Sequence, residues 1–299
     1  MTHVATLVSN PAAAALDAAA LARAAQLLPG AGEPRWLAPK IAADLRFVPA
    51  EGETDGRALA DRLRGALADL PIDVIVQPLR GRRKKLLIAD MDSTMIGQEC
   101  IDELADFVGM KAHVAAITER AMRGEIAFEP ALRERVALLK GLEEEVVAKV
   151  IEDRITLTPG ARALVQTMRA NGAHTALVSG GFTLFTAQVA EMIGFHSNQA
   201  NGLLLEDGRF TGFVQEPILG KEAKLAALLR LRDEYGIAAA ETLAVGDGAN
   251  DLAMLAEAGL GVAFHAKPAV AAAAHARIDH ADLTALLYAQ GYERGDFAA

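Results

Sequence analysis

Two carboxylates stand one residue apart at the end of an apolar run, and their spacing suits chemistry. Residues 86–94 read LLIADMDST, so the run ends on Asp90 and Asp92 follows it. An apolar run of this kind is typical of a strand buried on both faces of a parallel sheet. A carboxylate at the carboxyl end of such a strand lies where open α/β sheets bind ligands. The pair therefore suits a nucleophile beside a general acid/base, or two metal ligands.

A lone D-x-D is equally typical of a polar strand end, but two further segments repeat its design. Residues 176–182 read ALVSGGF, in which an apolar strand ends on Ser179 and two glycines follow. Their hydroxyl and backbone N–H groups are what a phosphate oxygen needs. Residues 242–255 read TLAVGDGANDLAML, in which Asp247 follows a strand and Asp251 precedes a helical pattern. The glycines around Asp247 permit a tight turn.

Four carboxylates near one point repel each other strongly. Each pair at ~4 Å costs about 4 kcal/mol at an effective dielectric constant near 20. A divalent cation offsets this repulsion, and oxygen-only ligands favour Mg²⁺ over Zn²⁺. The carboxylates in question belong to Asp90, Asp92, Asp247 and Asp251.

Composition narrows the classes of partner. The 299 residues carry a net charge of −9, which argues against nucleic acid and favours small molecules or proteins. One basic run, residues 80–85, is interpreted as a solvated linker between domains. The single cysteine, Cys100, cannot form an internal disulfide, which fits a reducing cytoplasm. No signal peptide or bilayer-length apolar run is found, so no membrane association is expected.

Periodicity divides the chain into three parts. Residues 1–80 alternate strands with helices at 12–28 and 55–70, which predicts a ferredoxin-like α+β domain. Residues 98–155 are helical in pattern and predict a cap inserted into an α/β core. That core, residues 81–97 and 156–299, alternates strands and helices and predicts a mostly parallel sheet. A helical cap over the carboxylates would exclude water during chemistry.

The order of motifs resembles the haloacid dehalogenase superfamily of phosphotransferases. The motifs are D-M-D-S-T, then S-G-G, then a lysine, then G-D-G-x-N-D. Within the superfamily, the segments DSTMIGQECIDELA and ITERAMRGEIAFEPALRERVALLKGL resemble the phosphoserine phosphatase family. The resemblance covers residues 84 to about 290, and implies a Rossmann-like core and an ACT-like first domain. Met91 departs from it, because the family usually carries phenylalanine there.

The resemblance implies roles for the carboxylates. Asp90 would attack phosphorus and form an aspartyl-phosphate, and Asp92 would be the general acid/base. Asp90, Asp247 and the backbone carbonyl of Asp92 would hold Mg²⁺, with Asp251 as a partner for metal-bound water. The alternative is that these carboxylates hold only a structural ion.

Further residues would hold the phosphoryl group. Ser179, Gly180 and a lysine would bind its oxygens, and Asn250 would orient groups near Asp247. Lys224 fits the family pattern for that lysine, whereas Lys221 begins the same helix and is the alternative.

Four residues would recognise the rest of the substrate. Phosphoserine carries an ammonium group, which suits Glu99, and a carboxylate, which suits the guanidinium of Arg135. Met122 and Phe128 would line the cap above the substrate.

The expected function is Mg²⁺-dependent hydrolysis of O-phospho-L-serine to serine and phosphate. One alternative is a phosphatase or phosphotransferase for another small phosphate ester. Another is a non-catalytic sensor of phosphoserine or serine, against which the intact Asp90 and Asp92 pair argues. The sequence leaves open whether the chain is a monomer or a homodimer.

Overall fold

The computed structural model describes residues 1–52 and 55–298, and the side chain of Met122 lies outside the described part. Within these residues the chain forms a four-stranded sheet near its amino terminus, a six-stranded sheet and a two-stranded hairpin. The first sheet belongs to residues before 80, and the other two to the α/β part that follows.

The amino-terminal sheet is antiparallel, with the order β2-β3-β1-β4. Two helices cover one face of it, and each begins after an aspartate whose side chain caps the first turn. Asp17 accepts a hydrogen bond from Ala20 N at 2.8 Å, which is why the first helix begins at Ala18 and not at residue 12. The βαββαβ order confirms the expected ferredoxin-like layer. Its elements are β1 His3–Ser9, α1 Ala18–Ala25, β2 Arg35–Ala38, β3 Ala42–Phe47, α2 Gly56–Ala66 and β4 Ile72–Pro78.

The larger sheet is parallel and has the order β12-β11-β10-β5-β6-β7. Strand β5 lies between β10 and β6, and its four residues are fully buried because helices cover both faces. This sheet confirms the predicted α/β class. The strands are β5 Leu86–Ala89, β6 His174–Phe182, β7 Ser197–Asn201, β8 Leu203–Glu206, β9 Arg209–Val214, β10 Thr242–Gly246, β11 Leu260–Phe264 and β12 Ala276–Ile278, of which β8 and β9 form the hairpin.

Of the helices that the described residues form between β5 and β6, four lie within the range assigned to the cap. They are α3 Cys100–Asp106, α4 Lys111–Met122, α5 Phe128–Ala137 and α6 Val146–Asp153. The helices that connect or follow the strands of the parallel sheet are α7 Ala161–Ala170, α8 Thr183–Ile193, α9 Lys221–Glu234, α10 Leu252–Glu257, α11 Pro268–Ala273 and α12 Ala285–Ala289.

The junction between the first sheet and the α/β part is packed, and not a solvated linker. Arg82 and Lys84 are 7% and 6% exposed, so the interpretation of the basic run is wrong for these two residues. Apolar residues of the first sheet, including Leu37 and Ile75, belong to the same buried cluster as Leu287 of α12. Among the described residues, no helix combines the length and apolar character needed to cross a membrane.

Candidate active site

The carboxyl ends of three neighbouring strands meet at one cavity. Asp90 directly follows β5, and its backbone N–H donates to the carbonyl of Val245 in β10 at 3.0 Å. Ser179 lies near the end of β6, and Asp247 directly follows β10. All three residues are at most 5% exposed and line a cavity of about 800 Å³ beneath the helices α4 and α5. The sheet thus brings together the acidic and hydroxyl groups expected from the sequence.

Three carboxylates form the anionic centre of this cavity. Asp90, Asp247 and Asp251 each offer an oxygen, and these oxygens all lie within 4.8 Å of one another. Burial, with the nearby charge of Asp251, raises the pKa of Asp247 to about 7. The same two causes raise the pKa of Asp90 well above its ordinary value. Removal of carboxylates from water and their mutual repulsion both disfavour the charged form.

Lys224 offsets part of this charge from one side. Its Nζ lies 2.7 Å from Asp90 Oδ1 and donates to Asp251 Oδ1 at 2.6 Å. Burial alone would lower the pKa of this lysine, but the carboxylates of Asp251 and Asp90 outweigh it and raise the pKa. The side chain of Lys221 is 67% exposed and its Nζ lies 3.8 Å from Glu222. The structure therefore places Lys224, and not Lys221, against the anionic centre.

The donor set fits a hard divalent cation. All the available atoms are carboxylate oxygens, which hard divalent cations prefer as ligands. A cation bound there would favour the ionised form that burial and mutual repulsion disfavour. Both oxygens of Asp251 are hydrogen-bonded: Oδ1 accepts from Lys224, and Oδ2 accepts the N–H of Gly248 at 3.0 Å. Asp247 is oriented by Thr94, whose hydroxyl donates to it at 3.1 Å. The sequence reasoning missed the role of Thr94, although it is part of the DST segment.

The side chain of Asp92 is hydrogen-bonded to partners outside the anionic centre. One of its oxygens accepts the N–H of Cys100 at 2.9 Å, and the other accepts the hydroxyl of Ser179 at 3.3 Å. Burial raises the pKa of Asp92. The group of carboxylates whose oxygens lie within 4.8 Å of one another includes Asp90, Asp247 and Asp251 but not Asp92.

Two glycines follow Ser179 within β6. Its hydroxyl oxygen also accepts the N–H of Gly181 at 2.9 Å. A methyl group at Gly181 would lie 2.9 Å from Asp92 Oδ2, and one at Gly180 would lie 3.0 Å from Phe128 Cζ. Both glycines therefore let groups from other elements approach the backbone closely.

An acidic and a basic residue line the cavity near α3 and α5. Glu99 precedes α3 and accepts the hydroxyl of Ser93 at 2.6 Å, and burial raises its pKa well above the ordinary value. Arg135 of α5 is 6% exposed, and burial lowers its pKa although the charges of Asp102, Glu99 and Asp92 oppose this effect. Phe128 and Asn250 also line the cavity, whereas the side chain of Met122 lies outside the described part. The sequence reasoning missed Ser93, because a serine beside two aspartates carries no distinguishing pattern.

Comparison with known proteins agrees with this geometry. The model for haloacid dehalogenase-like hydrolases matches residues 87–256. A phosphoserine phosphatase from Streptomyces coelicolor is 39% identical over 294 residues, which cover 98% of this chain and 72% of that protein. The solved structure of a hydrolase of this family from Salmonella enterica serovar Typhi has a TM-score of 0.83 at 29% identity, covering 98% of this chain and 99% of the other.

A second solved structure is that of a phosphoserine phosphatase with an analogue of its phospho-aspartyl intermediate. It has a TM-score of 0.66 and 41% identity, covering 69% of this chain and 98% of the other. The family model spans more than half of this chain, and the Streptomyces relative matches almost all of it. The chain therefore belongs to the haloacid dehalogenase-like hydrolase family.

Proposed function

We propose that this chain is a Mg²⁺-dependent phosphoserine phosphatase, which hydrolyses O-phospho-L-serine to L-serine and phosphate. The names of its relatives support this proposal, since proteins from several organisms that match at 39–47% identity are phosphoserine phosphatases. One solved relative is a complex of phosphoserine phosphatase with its substrate, at 41% identity over 69% of this chain.

One observation carries the choice of substrate. Glu99 and Arg135 line the same cavity as Asp90, and both lie on the side of the cap helices. A small ester with an ammonium group and a carboxylate at the end away from phosphorus complements this pair of opposite charges. A sugar phosphate has neither charge to offer. The pair therefore favours phosphoserine over other small phosphate esters.

The chemistry follows from the placement of two aspartates. A carboxylate oxygen of Asp90 attacks phosphorus, the bond between phosphorus and the serine oxygen breaks, and an aspartyl-phosphate forms. Asp92 donates a proton to the departing oxygen, and its raised pKa favours the protonated form that this step needs. Asp92 then takes a proton from the water that attacks the aspartyl-phosphate, which releases phosphate and restores Asp90. Ser179, the N–H of Gly180 and the ammonium of Lys224 would hold the phosphoryl oxygens.

Asp90, Asp247 and the carbonyl of Asp92 would hold Mg²⁺. When bound there, the cation would neutralise charge on the carboxylates and the phosphoryl group. Lys224 and Thr94 keep the two carboxylates oriented, by contacts of 2.7 and 3.1 Å. Asn250, which lines the cavity near Asp247, would orient groups of the bound phosphoryl.

We assign the three parts of the chain accordingly. Residues 81–97 and 156–299 would form the phosphatase core, and residues 98–155 the cap that covers the substrate. Phe128 of the cap would close over Gly180, and Met122 would lie on the same cap. Residues 1–80 would be an ACT-like domain with no chemical role. The single cysteine, a buried thiol, supports a cytoplasmic enzyme.

Phosphate release from a panel of esters tests the proposal. Phosphoserine should be hydrolysed with Mg²⁺, and EDTA should abolish turnover until Mg²⁺ is restored. Asp90→Asn should lower kcat by several powers of ten with an unchanged melting temperature, because an amide cannot form the acyl-phosphate. Efficient turnover by this variant, or a clear preference for a sugar phosphate, would refute the proposed function.

A further inference from the structure

The hydroxyl group of Thr118 connects Arg135 to a carboxylate on another helix. Arg135 Nη1 donates to Thr118 Oγ1 at 2.9 Å, and that hydroxyl lies 2.8 Å from Asp102 Oδ1. The three residues belong to α5, α4 and α3, so the chain of hydrogen bonds joins three helices above the cavity. Thr118 is only 4% exposed and lines the same cavity as Asp90.

This arrangement leaves part of the guanidinium free for a ligand. Arg135 Nε donates to the carbonyl of Ala131 at 3.1 Å, and Nη1 uses one N–H on Thr118. A guanidinium has five N–H groups, so three have no hydrogen-bond partner among the described residues. Those three can meet both oxygens of a carboxylate in the cavity. The two bonds that are made fix the plane of the guanidinium.

Thr118 has one proton to donate and two acceptors within reach. These are Asp102 Oδ1 at 2.8 Å and the carbonyl of Val114 at 3.1 Å. The carboxylate is nearer and is charged, and a charge-assisted hydrogen bond is the stronger one. With the proton directed to Asp102, a lone pair of the hydroxyl faces Arg135. The hydroxyl of Thr118 therefore bridges the two residues: it donates to Asp102 and accepts from Arg135.

We propose that Thr118 and Asp102 are positioning residues, which orient Arg135 to read the carboxylate of the substrate. This inference rests on the proposed function, since it needs a substrate that carries a carboxylate. The residues that would select the substrate lie on the cap helices, away from the phosphoryl centre. Altering Thr118 should therefore change selectivity and leave that centre intact.

The test compares two substrates that differ by one group. O-Phosphoethanolamine lacks the carboxylate of phosphoserine and keeps its ammonium and phosphate. Thr118→Val removes the hydroxyl at nearly constant shape, and should raise the KM for phosphoserine about tenfold with kcat little changed. The same variant should change kcat/KM for O-phosphoethanolamine by less than about twofold. Thr118→Ser restores the hydroxyl and should restore the KM for phosphoserine.

A double-mutant cycle shows whether Thr118 acts through Arg135. Adding Thr118→Val to Arg135→Ala should cause no further loss on phosphoserine, whereas a residue that merely supports the fold would add its own loss. Equal losses on both substrates, or additive losses in the cycle, would overturn the inference. If Thr118→Val does not fold, Asp102→Asn replaces it, and it should raise the KM for phosphoserine a few-fold and leave O-phosphoethanolamine unaffected.

Arg135→Ala by itself separates the two proposals. If it discriminates against phosphoserine but Thr118→Val does not, only the positioning role fails. If Arg135→Ala affects both substrates equally, then Arg135 does not read a carboxylate, and the assignment of the substrate fails together with the inference.

Discussion

Arg82 and Asp44 are joined by two hydrogen bonds across the junction between the first sheet and the α/β part. Arg82 Nη1 lies 2.7 Å from Asp44 Oδ2, and Nη2 lies 2.6 Å from Asp44 Oδ1. The same guanidinium donates to the carbonyls of Tyr288 and Ala289 in α12, at 3.0 and 2.6 Å. The buried guanidinium of Arg82 therefore bonds to both parts of the molecule. Removing it, or removing its partner Asp44, should destabilise the junction.

Asp44→Asn should destabilise the protein strongly. It leaves the Arg82 charge buried without its partner, and breaking a buried pair in this way costs about 3–5 kcal/mol. The free energy of unfolding in urea measures the loss. Glu234→Gln is the matched control, because the Arg230–Glu234 pair is 58% and 50% exposed and contributes below about 1 kcal/mol. Similar losses for the two variants would contradict the importance assigned to burial.

Deletion of residues 1–82 should lower the melting temperature but preserve turnover. The deletion removes Arg82 together with Asp44, so no buried charge is left unpaired, but it uncovers apolar residues of the shared cluster such as Leu287. All candidate site residues lie at position 90 or beyond. We expect kcat/KM per folded molecule within about tenfold of the full chain, measured below the melting temperature. A folded, inactive fragment would show that the first sheet shapes the site.

Lys84 should make stability depend on alkaline pH. Its Nζ donates to the carbonyl of Ala240 at 2.7 Å, and burial lowers its pKa to about 8 against the opposing charge of Glu241. In the unfolded chain the pKa returns to about 10.4. Between these values the unfolded chain binds more protons, so the free energy of unfolding rises with pH in this window.

The Lys84→Met variant isolates this effect. The free energy of unfolding of the native protein should rise by about 2 kcal/mol between pH 8 and pH 10, relative to that of the variant. Other groups titrate in both proteins alike, so their contribution cancels in the comparison. Parallel curves for the two proteins would show that Lys84 keeps its ordinary pKa in the fold.

The parallel sheet and its carboxylate edge could be predicted because the signals are local. Residues 86–89 are apolar without interruption, and the acidic motif directly follows them. Strand β12 has only three residues, and the middle one is an arginine, so its sequence shows no periodicity from which a strand could be predicted. The basic run was misinterpreted for a different reason. Arg82 is buried by its partners Asp44 and Tyr288, which are distant in sequence, and composition alone does not show such partners.

In the site, too, features with a local sequence signal could be predicted, and features that depend on distant residues could not. The order of motifs predicted Asp90, Asp247 and Lys224, which the structure brings within hydrogen-bonding or metal-binding distance. The groups that orient side chains were not predicted, because a threonine such as Thr94 or Thr118 has no pattern of its own. Their role depends on helices and loops that meet only in the folded chain.

Gly180 and Gly181 are adjacent, yet their replacement by alanine should disturb different steps. A methyl group at Gly181 would lie 2.9 Å from Asp92 Oδ2 and 3.0 Å from Ser179 Oγ, so it displaces the proposed general acid/base. Gly181→Ala should therefore lower kcat by about ten- to a hundredfold, within the range that general acid–base catalysis contributes. A methyl group at Gly180 would lie 3.0 Å from Phe128 Cζ, the far end of a side chain of α5, and so would hinder closure of the proposed cap.

Gly180→Ala should accordingly raise the KM for phosphoserine several-fold and leave kcat within about threefold of the native value, because the methyl group meets Phe128 and the backbone N–H of residue 180 is kept. Neither glycine has a positive φ, so alanine fits the backbone and the melting temperatures should stay close to that of the native protein. Steady-state kinetics of the two variants on phosphoserine make the comparison. If both variants lost kcat equally, the end of β6 would act as one rigid unit, and the separate contacts with Asp92 and Phe128 would not determine the two steps.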